Sequence, residues 1–123
     1  MKENLFLEIF DNLLDGIVLT DIRRKRFLFA NRSFYRILGY NPKEVRSLSV
    51  YDIHPKSQLK HILRLFERVA KKKAFLLPDV QVKRKNGSIF YAQINGSTLN
   101  ISGKKYAIGI FRDVSQRRDS EER

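Results

Sequence analysis

The order of patterned segments predicts an α+β fold: an antiparallel sheet with helices over one face and an N-terminal amphipathic helix. Three observations carry that prediction. An apolar stripe at helical spacing opens the chain, a long amphipathic helix fills its middle, and from residue 79 the apolar period becomes that of strands. With 123 residues, 42% of them hydrophobic, the chain suits one domain with one core.

The first helix is expected over Lys2 to Asp15, where Leu5, Phe6, Ile9, Phe10, Leu13 and Leu14 form one stripe and Gly16 ends it. Ile17 to Asp21 and Phe27 to Ala30 read as strands joined by a polar turn. Asn31 is placed to cap a helix through Leu38, since its side-chain oxygen can accept from a first-turn N–H. Gly39 stops that helix, and Pro42 starts another at its first position. The longest helix is expected from about Pro55 to Lys73, burying Leu59, Ile62, Leu63, Phe66, Val69 and Ala70. Lys56, Lys60, Arg64 and Arg68 line its other side, and Lys71 to Lys73 suit its negative end.

Three strands close the chain. Asp79 to Arg84 and Ile89 to Leu99 flank the hairpin signal Asn86-Gly87, and Lys105 to Val114 follows the turn Ser102-Gly103. In Tyr106-Ala107-Ile108-Gly109-Ile110-Phe111 both alternate sets are apolar or small, so both faces of this strand are expected to be covered. The middle helices can cover one; the N-terminal helix or a second subunit would cover the other.

Composition narrows the chemistry. The absence of cysteine excludes disulfides, thiolate nucleophiles and Cys-ligated zinc, and two histidines are too few for a three-histidine metal centre. No run of ~20 apolar residues and no signal-peptide pattern is present, so a cytoplasmic location is expected. No phosphate loop or nucleophile motif supports an enzyme. The net charge is +12, but its clusters (Arg23 to Arg26, the Lys56/Lys60/Arg64/Arg68 stripe, Lys71 to Lys73, Lys83 to Lys85) sit at turns and helix faces. A solvated surface explains them, and nucleic acid is not the expected partner.

Four segments, in order, resemble the PAS domain family of sensory modules. They are Ile9-Phe10-Asp11-Asn12-Leu13-Leu14-Asp15-Gly16-Ile17, then Phe29-Ala30-Asn31 leading to Leu38-Gly39-Tyr40, then Lys83-Arg84-Lys85-Asn86-Gly87, and last Arg112-Asp113-Val114-Ser115-Gln116-Arg117-Arg118. The resemblance runs from Ile9 to Arg118 and implies a five-stranded antiparallel sheet curved around a small cavity under the long helix. It divides the chain into a cap helix (1–15), a sensory core (16–114) and the start of a signalling helix (115–123). It also implies a regulatory piece of a larger protein, such as a sensor histidine kinase or a diguanylate cyclase, with any catalysis in an effector domain of the same chain.

Within that frame the expected pocket lining is Phe29, Phe34, Leu38, Ile53, Ile62, Leu63, Phe66, Val82, Ala92, Ile94, Ile108 and Ile110, which suits a small apolar ligand or simply fills the core. Tyr91, Gln93, Asn95 and Ser97 share the opposite strand parity to Ala92 and Ile94 and are expected to point away. Asp113 and Ser115 form the expected relay junction, and Asn31, Gly39, Asn86 and Gly87 the structural motif. Cysteinyl-flavin chemistry is excluded for want of cysteine. Haem is disfavoured because His61 falls off the apolar stripe of its helix and His54 precedes Pro55 outside it, and non-covalent flavin because the chain has no Trp to stack on the ring. No metal is expected and the cofactor stays open, with none required. A homodimer through the N-terminal helix and the outer sheet face is the expected assembly. The alternative reading is a ligand-free interaction module.

Overall fold

In the computed structural model, which describes residues 2–116, five antiparallel strands form one sheet in the order β2-β1-β5-β4-β3. The chain runs α1 (Lys2–Asn12), β1 (Gly16–Asp21), β2 (Arg26–Ala30), α2 (Arg32–Leu38), α3 (Pro42–Val45), α4 (Leu59–Ala70), β3 (Ala74–Lys83), β4 (Ile89–Ile101) and β5 (Lys104–Asp113). Two single 3-10 turns, Val50–Ile53 and Lys56–Gln58, lead into α4.

Asn31 organises the start of the fold. Its Oδ1 accepts from the N–H of Phe34 (3.1 Å) and of Ile17 (2.8 Å), while its Nδ2 donates to the carbonyls of Phe10 (2.9 Å) and Asp15 (3.1 Å). A fully buried amide thus meets its whole hydrogen-bonding capacity and ties α1, β1 and α2 to one point. Gly39 ends α2 in the left-handed conformation at φ 85°, which glycine adopts without a steric penalty. At Asn41 a capping box with Glu44 starts α3, with Pro42 in the first turn.

Several boundaries differ from the sequence expectation. The first helix stops at Asn12, and none of its residues is buried, so the apolar stripe finds little surface within this chain. The long helix is shorter at both ends, because a 3-10 turn takes Lys56–Gln58 and α4 has closed by Lys71. Strand β3 begins at Ala74, five residues before the expected Asp79. Pro78 hides this start: it lies in a bulge, where Leu77 pairs with Ile94 but Val80 pairs with Ala92. A missing N–H is tolerated there on an edge strand.

Both sheet edges are partly occupied. The segment after α3 bonds along β2, with the Phe27 N–H on the Leu48 carbonyl (3.1 Å) and the Val50 N–H on the Lys25 carbonyl (2.8 Å). On β3 the His54 ring meets the Gln81 carbonyl at 2.7 Å. In the sheet centre Gly96 faces Gly109 across β4 and β5, and a Cβ at Gly96 would fall 1.7 Å from the Ile108 carbonyl oxygen. The core between sheet and helices is dense around Phe34, whose ring meets Phe27 (5.8 Å) and Phe111 (5.4 Å) edge to face.

Candidate functional site

A cavity of about 70 Å³ lies between α4 and the concave sheet face. Strand parity builds its floor: Val18 and Thr20 from β1, Phe27 from β2, Ala107, Gly109 and Phe111 from β5, Ile94 from β4, and Phe75, Leu77 and Val80 from β3. Helix α4 roofs it with Ile62, Leu65, Phe66 and Val69, one amphipathic face at spacings of three and four. Val50, Ile53 and His54 close the side.

Four of the expected lining residues, Ile53, Ile62, Phe66 and Ile94, line this cavity. Phe34, Leu38, Val82 and Ala92 are fully buried but belong to the packed core beside it. The other four are corrections. Phe29 is 49% exposed and packs on Phe10 of α1 with ring centroids 6.0 Å apart, because its register partner Leu19 is on the outer face of β1. Leu63 points to the flank of α4, one position off the inward stripe. Ile108 and Ile110 have the wrong parity: Ala107, Gly109 and Phe111 face inward, which sends both isoleucines to the outer face. Tyr91, Gln93, Asn95 and Ser97 also lie opposite the inward-facing Ala92 and Ile94.

The histidines exchange importance. His61 is exposed on α4 and does not reach the cavity. His54 is only 4% exposed and lines it, although nothing in its sequence setting, between a 3-10 turn and Pro55, signals burial. Burial pushes its pKa down to about 4, against a smaller opposing pull from the Gln81 carbonyl. The ring is therefore neutral at pH 7. Among the described residues no cluster of three His, Cys, Asp or Glu side chains could hold a metal ion.

The junction lies at the end of β5. The Asp113 Oδ1 accepts from the Ser115 N–H (2.9 Å), and the Ser115 hydroxyl oxygen accepts from the Tyr91 N–H (3.0 Å). The Val114 N–H adds a bond to the Tyr91 carbonyl (2.9 Å), so the chain leaving β5 is stitched back to β4. Arg84, from the hairpin after β3, lies 3.6 Å from Asp113 Oδ2 and 4.4 Å from the Phe90 ring centroid, and donates to the Ile37 carbonyl (3.1 Å). Next to it, Arg112 holds Asp15 through two bonds of 3.0 and 3.3 Å, tying β5 to the segment after α1. In the hairpin itself Asn86 accepts from the Ser88 N–H (2.9 Å) and Gly87 takes φ 90°. Ser115 and Gln116 already have helical backbone; Arg117, Arg118 and the rest of the expected signalling helix lie outside the described residues.

Comparison with known proteins agrees with this geometry. A family model described as "PAS domain" matches residues 14–116. Sporulation kinase E of Bacillus subtilis is 31% identical over 98% of this chain, and the sensor histidine kinase TmoS of Ectopseudomonas mendocina is 29% identical over 93%. The chain spans only 16% and 12% of those proteins. Among solved structures, a PAS domain from Colwellia psychrerythraea superposes with a TM-score of 0.83 at 20% identity, covering 95% of this chain and 100% of that one. A PAS domain from a two-component sensor histidine kinase gives 0.78 at 15% identity, with 91% and 96% covered.

Proposed function

The chain belongs to the PAS domain family, and from that premise we propose that it is the regulatory sensor of a larger signalling protein of the sensor-kinase kind. In this reading a small molecule in the cavity, or a change in dimer packing, shifts β5 and is relayed through Asp113 and Ser115 to an effector domain in the same chain. One observation carries it: Ala107, Gly109 and Phe111 line the cavity, and Asp113, next at the same strand parity, caps the exit. A displacement at the cavity floor therefore reaches the junction along one strand. Such coupling requires that the ligand bind one state of the strand better than the other. Catalysis is assigned to the effector, not to this domain.

The partner in the proposed assembly is a second copy, joined through α1 and the outer sheet face. The exposed Leu5, Phe6 and Ile9 of α1 and the outward Ile108 and Ile110 favour it. Haem and flavin do not fit the reading, because about 70 Å³ is far below the ~300–1,000 Å³ of pockets that hold drug-sized ligands. Among the described residues no helix is long and apolar enough to cross a membrane.

Native mass spectrometry of the purified domain, set against its denatured mass, tests the proposal. Extra mass that is lost on denaturation is the expected result. A bare monomer that takes up no small molecule overturns ligand sensing. A bare dimer favours the second reading, a ligand-free interaction module whose own side chains fill the space under the helix, which the fully buried Phe34 and Leu38 beside the cavity also suit.

A further inference from the structure

Resting on the reading of the cavity as a ligand site, we propose that it selects an uncharged, mainly apolar molecule of a few non-hydrogen atoms that donates a hydrogen bond to His54 Nε2: a short alcohol. The lining is the first ground. In a chain of net charge +12, no Lys, Arg, Asp or Glu side chain among the described residues lines the cavity. A carboxylate or phosphate ligand would lose its hydration and meet no counter-charge there, which is strongly unfavourable. The abundant surface cations therefore say nothing about the ligand.

His54 supplies the second ground. Its Nδ1 lies 2.7 Å from the Gln81 carbonyl, and a carbonyl oxygen only accepts, so Nδ1 carries the proton. With the ring neutral, Nε2 presents a bare lone pair. It has no partner among the described residues, although the side chain is 4% exposed and lines the cavity. A buried acceptor left unpaired is unfavourable, and a ligand hydroxyl removes that cost. Thr20 is the other polar side chain of the lining, likewise 4% exposed. It lies on β1, three strand spacings from β3, or about 14 Å of sheet. Its hydroxyl can donate or accept and so discriminates little; Nε2 can only accept and so selects a donor.

Size completes the assignment. At about 70 Å³ the cavity is far below the ~300–1,000 Å³ of pockets that hold drug-sized ligands, which restricts the alcohol to a few carbons.

The test titrates the nitrogen-15-labelled chain at neutral pH with n-butanol, butanone and butyrate, following backbone amides and the two histidine rings. We expect butanol to bind at least about fivefold more tightly than butanone, to move the His54 Nε2 resonance and not that of His61, and butyrate not to bind. His54→Phe should remove the alcohol preference. Equal affinity for butanone, binding of butyrate, or an unmoved Nε2 overturns the alcohol assignment while leaving ligand sensing in place. No response to any of the three overturns the alcohol assignment, and the native mass measurement then decides ligand sensing separately. The wild-type comparison and the Nε2 signal decide the matter even if His54→Phe does not fold.

Discussion

His54 makes stability depend on pH in a direction its surroundings fix. Its pKa falls from the ordinary 6.5 to about 4 on folding, so between these values the unfolded chain binds the extra proton. Stability is then complete above pH 6.5 and is lost as pH falls toward 4. The difference corresponds to about 3 kcal/mol at most. Urea unfolding across that window should show this loss, and His54→Phe should flatten it; an unchanged slope in the variant would assign the loss to carboxylates instead. The residue scale is also where the sequence was least legible. The cap at Asn31 could be read from its place before an apolar helix. Its two donated bonds could not, because they depend on carbonyls of Phe10 and Asp15 that only the tertiary fold brings near. His54 gave no periodic signal at all, since its burial comes from the edge of β3.

At the scale of elements, patterning named each helix and strand but misjudged what faces what. The last strand offered two apolar sets, and only its pairing decides that Ala107, Gly109 and Phe111 turn inward. Similarly Pro78 disguised the first half of β3, because a bulge lets an edge strand carry a proline. The junction after β5 was legible for a local reason: the bond from the Ser115 N–H to Asp113 spans two residues. What the local pattern omitted was the return to Tyr91 and Arg84. Asp113→Ala removes one cap bond and a half-exposed ion pair, so it should cost about 1 kcal/mol, a melting shift of roughly 4 °C. In the longer signalling protein we propose, its effect on ligand-dependent output should be far larger, with response lost while the domain stays folded. Output and folded fraction falling in proportion would reduce Asp113 to a stabilising cap.

For the whole molecule the unresolved balance lies between apolar surface and charge. Leu5, Phe6 and Ile9 are 59%, 69% and 56% exposed on one helix, more apolar surface than a water-facing helix gains from carrying. The chain as a whole has net charge +12, which opposes bringing two copies together. Placement resolves the conflict. Within α1, Glu3, Glu8 and Asp11 outnumber Lys2, whereas Arg23, Arg24, Lys104 and Lys105 gather at the turns at the other end of the sheet. Two copies meeting through α1 join their least basic ends and keep the cationic turns apart. Because the remaining repulsion is long-ranged, salt should strengthen the dimer by screening it. Sedimentation equilibrium of the wild-type chain should show a dimer that tightens with added salt. Phe6→Glu with Ile9→Glu should give a monomer, and at a protein concentration where the wild type is monomeric too its unfolding free energy should differ by less than about 1 kcal/mol, since both side chains are exposed in the single chain. The Asn31 anchor on α1 uses only the backbone carbonyls of Phe10 and Asp15 and is untouched by these changes. A double variant that still sediments as a dimer would move the interface off α1, and a wild-type chain that stays monomeric in high salt would leave the apolar helix to another domain.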